Sequence, residues 1–296
     1  MKEAIKEVAK TLGFDLIGFS ECKEVEEEFK EFYLNWIKNN YNGELKYLEK
    51  NLEKKFNPKE ILPSGQTVIS LGINYYSKIP HSCLFPRYLT KIDYHKFIKN
   101  LLKEFVKKLK NLIGNFEYRF FVDTGPVLEK YWARKSGIGF MGKNSLIINP
   151  DFGSFIFLSE IIIDKEIEPD KEIENLCKNC KKCINSCPTE AIVSNGIIDV
   201  RKCISYLTIE KNKISEAEKN LIKKGNKIFG CEICQEVCQF NQNLKETEKE
   251  NLKISEFLKN LKLEEFKKLS SYELKRIFVG TTFERKLKFF DKNFFL

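Results

Sequence analysis

Eight of the ten cysteines in this 296-residue chain fall into a metal-binding pattern. Cys177, Cys180, Cys183 and Cys187 run C-x2-C-x2-C-x3-C and are closed by Pro188. Cys231, Cys234 and Cys238 run C-x2-C-x3-C, and Cys203 stands alone upstream. Thiolate is a soft anionic ligand, and each iron of a four-iron cubane takes one. Two residues between ligands let a tight loop wrap one cluster. The three-residue gap before Cys187 carries that sulfur onto a second. The pseudo-symmetry of the two sets assigns Cys177, Cys180, Cys183 and Cys238 to one four-iron four-sulfur cluster, and Cys187, Cys203, Cys231 and Cys234 to another. Zinc prefers separated cysteine pairs. Disulfides suit secreted domains, and the start of this chain does not read as a signal peptide. The chemistry expected is movement of single electrons. Cys22 and Cys83 lie outside the pattern and read as packed thiols.

A second candidate site lies at 122–160. Asp123 follows an apolar strand directly, and Thr124, Gly125 and Pro126 then break the chain. A carboxylate at a strand end facing a pocket is placed to deliver a proton. The same residue also suits the cap of a helix starting near Pro126. Spacing alone leaves these two readings level. Gly137, Gly139 and Gly142, followed by Lys143, Asn144 and Ser145, allow close backbone approach to a large ligand, or form an ordinary irregular turn. They do not spell G-x-G-x-x-G, so no dinucleotide fingerprint is present.

The elements that must position these residues fall into three parts. Residues 1–165 alternate helix and strand. Ile5, Val8, Ala9 and Leu12 make a helical stripe closed by Gly13. Strands are expected at 14–19, 67–76, 117–122, 145–149 and 154–163. Phe97, Ile98, Leu101, Leu102, Phe105, Leu109 and Leu112 recur at helical spacing, which predicts a long helix over 93–113. A shorter helix is expected over 126–136, ended by Gly137. Residues 166–245 form the cluster domain. Residues 246–296 are helical, basic and aromatic. In that segment Phe257, Leu261 and Leu263 read as docking positions. Phe278, Phe283 and the phenylalanines from 289 onward read as core or interface rather than as base-stacking platforms.

The chain is long enough for two domains with a sizeable core. No apolar run reaches the length of a membrane span, so a cytoplasmic protein without membrane contact is expected. The formal net charge is +9, from 51 basic and 42 acidic residues, and it is uneven. Residues 91–135 carry eleven basic and five acidic side chains, 251–296 eleven and six, while 21–31 is acidic. Such a distribution suits a polyanionic partner.

Taken together, these segments resemble the epoxyqueuosine reductases. VDTGPVLEKYWARKSGIGFMGKNSLIINPDFGSFIFLSE is similar to that family's signature segment. CKNCKKCINSCPTEAI, CISYLTIE and FGCEICQEVC follow its cluster segments in order and spacing. Arg87 and Tyr88, in PRY, and Asp93, Tyr94 and His95, in DYHKF, are similar to its upstream motif. GTTFERKLKFFDKN is similar to its closing segment. Gln239, Phe240 and Asn241 stand where the family usually has Pro-Trp-Asn, which spares every ligand. The helical-repeat extension of some members is missing.

The resemblance implies an α+β fold: a cobalamin-binding α/β domain of nitroreductase type, a bacterial ferredoxin-like domain with two clusters, and a short helical C-terminal segment. It implies a cobalamin with no protein ligand below the cobalt, two four-iron four-sulfur clusters that reduce it, and a tRNA substrate with epoxyqueuosine at the wobble position. It implies Asp123 as proton donor, with a raised pKa. Arg87, Tyr88, Gly142, Lys143, Asn144, Ser145, Ser205 and Tyr206 are expected at the cofactor, the last two between cluster and corrin. Asp93 and Tyr94 are expected to line the pocket, while His95 is left between ligand contact and a structural role. A low-potential electron donor and a monomeric state are further expectations. Two other functions stay open: a cobalamin and iron–sulfur reductive dehalogenase acting on a small molecule, and a plain two-cluster electron carrier. The first usually carries a twin-arginine signal, and the second has no use for the first 165 residues.

Overall fold

A computed structural model describes residues 1–289 of the chain. Its first part is built on strands β1 (Leu16–Glu21), β2 (Thr67–Asn74), β3 (Tyr118–Phe121), β4 (Phe140–Met141), β5 (Ile147–Ile148) and β6 (Ile156–Ile163). Four of them form one sheet in the order β1-β2-β6-β3, antiparallel throughout. β4 and β5 pair as a separate short hairpin. An antiparallel sheet covered by helices is an α+β arrangement.

Every residue of β2 is buried, because both faces of this central strand are covered. Successive side chains point to opposite faces. Ile69, Leu71, Ile161 and Ile163 pack with Ile5, Ala9, Ile98, Leu102, Phe105 and Leu109 from helices Lys2–Thr11 and Tyr94–Ile113. Val68 and Ile162 face the other way, onto Tyr131 and Trp132 of helix Glu129–Lys135 and onto Cys22, Val25 and Leu62.

The long helix begins one residue after the expected start, because Asp93 caps it: its Oδ1 accepts the His95 N–H at 2.9 Å. The 126–136 helix is shorter than expected. It starts at Glu129, and its N-cap is Leu128, with no side-chain cap bond. The first strand starts later than expected because Phe14 still closes the preceding helix, its N–H donating to Ala9 O. Helix Glu27–Lys38 was not anticipated: its acidic start reads as a solvated charge run, while Phe29, Tyr33 and Trp36 face inward on one side.

The cluster region is built from short elements: helices Lys182–Ser186, Ile204–Ile209, Glu216–Lys223 and Ile233–Glu236, and the hairpin of β7 (Ile192–Ser194) and β8 (Ile197–Ile198). The described residues of the last segment share a core with the other two parts. Ile254, Leu258, Leu261, Phe266, Leu274, Phe278 and Phe283 share one cluster with Cys83, Leu84, Phe85 and Leu89 from the first part and Ile228 and Phe229 from the second. Phe278 and Phe283 are thus core, and residues beyond 289 lie outside those described. Of the three docking positions, Leu261 is buried, Leu263 is partly buried against this cluster and Phe257 is 51% exposed. Cys22 and Cys83 are both buried, and burial pushes the Cys22 thiol up to about 11. No described helix is long and apolar enough to cross a membrane.

Candidate active site

The two cysteine sets come together as the spacing predicts. Helices Lys182–Ser186 and Ile233–Glu236 pack against each other. Cys177, Cys180, Cys183 and Cys238 line one cavity, with Lys143, Asn144, Ile148, Lys182, Gln239 and Phe240 around it. The second set is deeper. Cys231 feels the charges of Cys203 and Cys187, and Cys234 those of Cys231, Cys203 and Cys187. Burial pushes the Cys231 thiol up to about 12, and a bound metal would hold it as thiolate. Among the described residues, no three of Cys, His, Asp and Glu approach closely enough to hold a single ion. At the first cavity Asn144, only 5% exposed, leaves its Nδ2 without an acceptor, a role that an inorganic sulfide fills. The donor sets fit two four-iron clusters.

The second cradle is tied to the first part of the chain by Arg87. Its Nη1 donates to Glu232 Oε2 at 2.9 Å and Glu236 Oε1 at 3.1 Å, and its Nε donates to Ser77 O at 3.0 Å. The guanidinium lies 4.8 Å from the Phe155 ring centre. Glu232 follows Cys231 directly, so this buried ion pair sets the ligand loop. Tyr88 and Ser205 hydroxyls are 3.1 Å apart and hydrogen bonded, beside Cys203 and Cys231. Gly230 is required here: its φ is +65°, and a Cβ would lie 2.0 Å from Tyr88 Oη.

Asp123 sits just past β3 on a left-handed backbone, φ 60°. Its N–H donates to Glu129 Oε1 at 2.6 Å. Its Oδ2 is 3.0 Å from His95 Nε2, and the other ring nitrogen, Nδ1, is 2.6 Å from Asp93 Oδ1. Tyr94 stacks on the imidazole at 4.0 Å and on Phe157 behind it, which fixes the ring plane. Arg285 Nη2 lies 3.7 Å from Asp93 Oδ2. The resemblance implies a raised Asp123 pKa, but the hydrogen bond from His95 instead holds the carboxyl below its ordinary range, against burial that works to raise it. Burial disfavours charge on His95, but the two carboxylates outweigh it and raise the ring to about 9. Burial, with the nearby Asp123 charge, pushes Glu129 up to about 8. Lys130 donates to Ser145 O at 2.9 Å; burial lowers its pKa, and it feels both Asp123 and the thiols Cys203 and Cys234.

Asp123 and Lys130 are crowded by protein and yet open: 58% of the Asp123 side chain is solvent-accessible. Crowding with access describes a concave cleft, and its charged wall faces the deeper cysteine set. Such a wall fits a large cofactor sitting between the two.

The expected cofactor residues distribute unevenly around this cleft. Asp123 does not cap a helix, so the capping role left open by spacing falls away. Ser145 reaches the cleft through its carbonyl on Lys130. Lys143 and Asn144 line the surface-side cluster cavity instead. Gly142 packs on Ile148. Arg87 is committed to Glu232 and Glu236. Tyr206 turns away from the clusters, its Oη accepting the Glu44 N–H at 2.9 Å. Sequence reading missed Glu129 and Lys130, although both stand inside the 122–160 segment. It left His95 undecided, and only the fold brings residue 95 against residue 123.

Similarity to known proteins can be set against this geometry. A family model described as a 4Fe-4S double cluster binding domain matches residues 176–241. Another, described as epoxyqueuosine reductase QueG, matches residues 55–124. The epoxyqueuosine reductase of Cyclobacterium marinum is 41% identical over 81% of this chain and 79% of its own length. That of Leadbetterella byssophila is 37% identical over 98% of this chain and 95% of its own. A crystal structure of epoxyqueuosine reductase with an epoxyqueuosine-modified tRNA-Tyr stem loop superposes with a TM-score of 0.86 at 28% identity, covering 97% of this chain and 79% of that one. A catabolic reductive dehalogenase is matched at 15% identity with a TM-score of 0.50 over 37% of its chain, a likeness of fold alone.

Proposed function

This chain belongs to the epoxyqueuosine reductase family, and from that premise we propose how its own residues carry the reaction. The enzyme reduces epoxyqueuosine in tRNA to queuosine with cobalamin and two 4Fe-4S clusters. An epoxide takes up two electrons and two protons to become an alkene and water. Cobalamin supplies an electron-rich cobalt for the reductive step, and the protein positions and tunes it.

Asp123 protonates the epoxide oxygen as the ring opens, because an alkoxide is a poor leaving group. The observation that carries this reading is the hydrogen bond that His95 Nε2 donates to the Asp123 carboxylate at 3.0 Å, on a group that opens into the cleft. Lys130 and the Ser145 carbonyl would shape the wall against a bound corrin. Cys177, Cys180, Cys183 and Cys238 would hold one four-iron cluster, in a cavity that opens at the surface, and Cys187, Cys203, Cys231 and Cys234 would hold the other, beside Lys130 and the Tyr88–Ser205 pair; the clusters would supply one-electron chemistry. Arg87 acts by positioning that second cluster. A low-potential one-electron carrier is the reductant, and the enzyme works as a cytoplasmic monomer.

The test is nucleoside mass analysis of tRNA from cells lacking this gene. Epoxyqueuosine accumulates, wild-type protein restores queuosine, and Asp123→Asn does not. Unchanged queuosine in the deletion strain would remove the functional assignment, and full restoration by Asp123→Asn would remove the proton donor.

A further inference from the structure

Deoxygenation consumes two protons, and one carboxyl group hands over one at a time. Asp123 therefore has to be recharged, and what touches it decides from where. Its own N–H is taken by Glu129, and Lys130 is held by the Ser145 carbonyl. The group on its carboxylate is His95 Nε2. His95 is unusual in having a carboxylate on each ring nitrogen, at 2.6 and 3.0 Å. A neutral imidazole has one lone pair, which would then point at a carboxylate oxygen. Two N–H donors satisfy both contacts, so the geometry is that of an imidazolium between two anions.

We propose that His95 is a proton-holding residue that supplies one of the two protons of each turnover through Asp123, with Asp93 keeping the ring oriented for that transfer. This rests on Asp123 being the proton donor. As the epoxide carbon–oxygen bond breaks, the Nε2 proton moves to Asp123 and a proton passes from Asp123 to the oxygen. The ring is left neutral, with its remaining proton on Nδ1 against Asp93. The second proton enters from solvent through the same carboxylate, the second carbon–oxygen bond breaks, and oxygen leaves as water. The balance is epoxide plus two electrons from the clusters plus two protons, giving alkene and water. His95 is recharged from solvent when product departs.

The charged and titratable groups around the ring agree with this role. Asp93 faces Nδ1 from the helix cap, and Asp123 faces Nε2 from the loop after β3. Arg285 reaches Asp93 from the C-terminal segment, and Tyr94 covers one ring face. Glu129 and Lys130 act on Asp123 from the following helix. The carboxylates win over burial and over Arg285, since the ring is raised to about 9.

The chain has only two histidines, His81 and His95, so selective 15N-histidine labelling resolves both by NMR in the holoenzyme with oxidised clusters. His95 is expected to titrate near 9, and to fall toward an ordinary histidine in Asp123→Asn. His95→Gln keeps an amide donor to Asp123 but holds no transferable proton. Its single-turnover rate should fall about a hundredfold, the lower end of general-acid effects. Its rate should also decline with rising pH from neutrality, where wild type holds level toward pH 9. Cobalamin and iron content should not change. A His95 that is neutral at pH 7, or a His95→Gln enzyme with wild-type rate and pH profile, overturns the proposal. If His95→Gln does not fold, the wild-type titration still decides it. An Asp123→Asn enzyme of normal rate would instead overturn the donor itself, so the two failures are distinguishable.

Discussion

Asp123 works from a backbone conformation that most side chains avoid. At φ 60° it sits in the left-handed region, which costs about 1–2 kcal/mol for an ordinary residue and less for Asp or Asn. Asp123→Asn therefore keeps the turn, and thermal unfolding should move little. Single-turnover rate should fall by about a hundredfold to ten-thousandfold. A variant that folds, binds tRNA and cobalamin, and turns over within about threefold of wild type contradicts the donor role. His95 adds a pH dependence to stability. Its pKa is raised on folding, so the stabilisation is complete below the ordinary value of 6.5 and is lost as pH climbs toward about 9. Denaturant midpoints across that window should show a decline that is missing in His95→Gln. At this scale the two contiguous cysteine motifs were legible because their spacing is local. The Asp123–His95 contact was not, because 28 residues and a whole helix separate the partners.

Among the elements, the long helix and the central strands were legible from periodicity, within a residue or two. The Glu27–Lys38 helix was not, since its acidic first turns hide its aromatic face. The cradles depend on elements too short to be seen by periodicity, such as Lys182–Ser186 and Ile233–Glu236. Cys203, at the start of helix Ile204–Ile209, lies near Cys187 and Cys231, and we assign it to the deeper cradle. Cys203→Ser should leave one cluster intact and lose the other, read as a halving of iron and sulfide. Two unchanged clusters would refute its assignment. Arg87 was expected at the cofactor, and its actual partners could not be read from sequence because Glu232 lies 145 residues away. Arg87→Met leaves Glu232 buried without its partner, a loss of about 3–5 kcal/mol for pairs of this kind. The checks are denaturant unfolding and iron content, and the deeper cluster should be the one that suffers.

For the whole molecule, the shared core of 83–89, 228–229 and 254–283 was not legible. Apolar residues in an amphipathic segment show that something is covered, not what covers it. That core also bears on which lysines can meet a polyanion. Lys286 is buried and donates to Lys211 O, so its reversal should unfold rather than weaken binding. Lys103 and Lys107 on the long helix are exposed. If they meet phosphates, their reversal should lower tRNA affinity without changing cobalamin content, and affinity should fall steeply with salt. Salt-independent affinity would count against a nucleic-acid partner. The central claim is that this chain removes the epoxide oxygen of epoxyqueuosine within tRNA, and the most direct measurement is nucleoside mass analysis after one anaerobic turnover. The protein, with both clusters and cobalamin in place, is given a low-potential reductant and epoxyqueuosine-containing tRNA. The account predicts conversion to queuosine, by loss of one oxygen atom, that depends on both cobalamin and Asp123. Epoxyqueuosine persisting unchanged with fully loaded, reduced protein would contradict it.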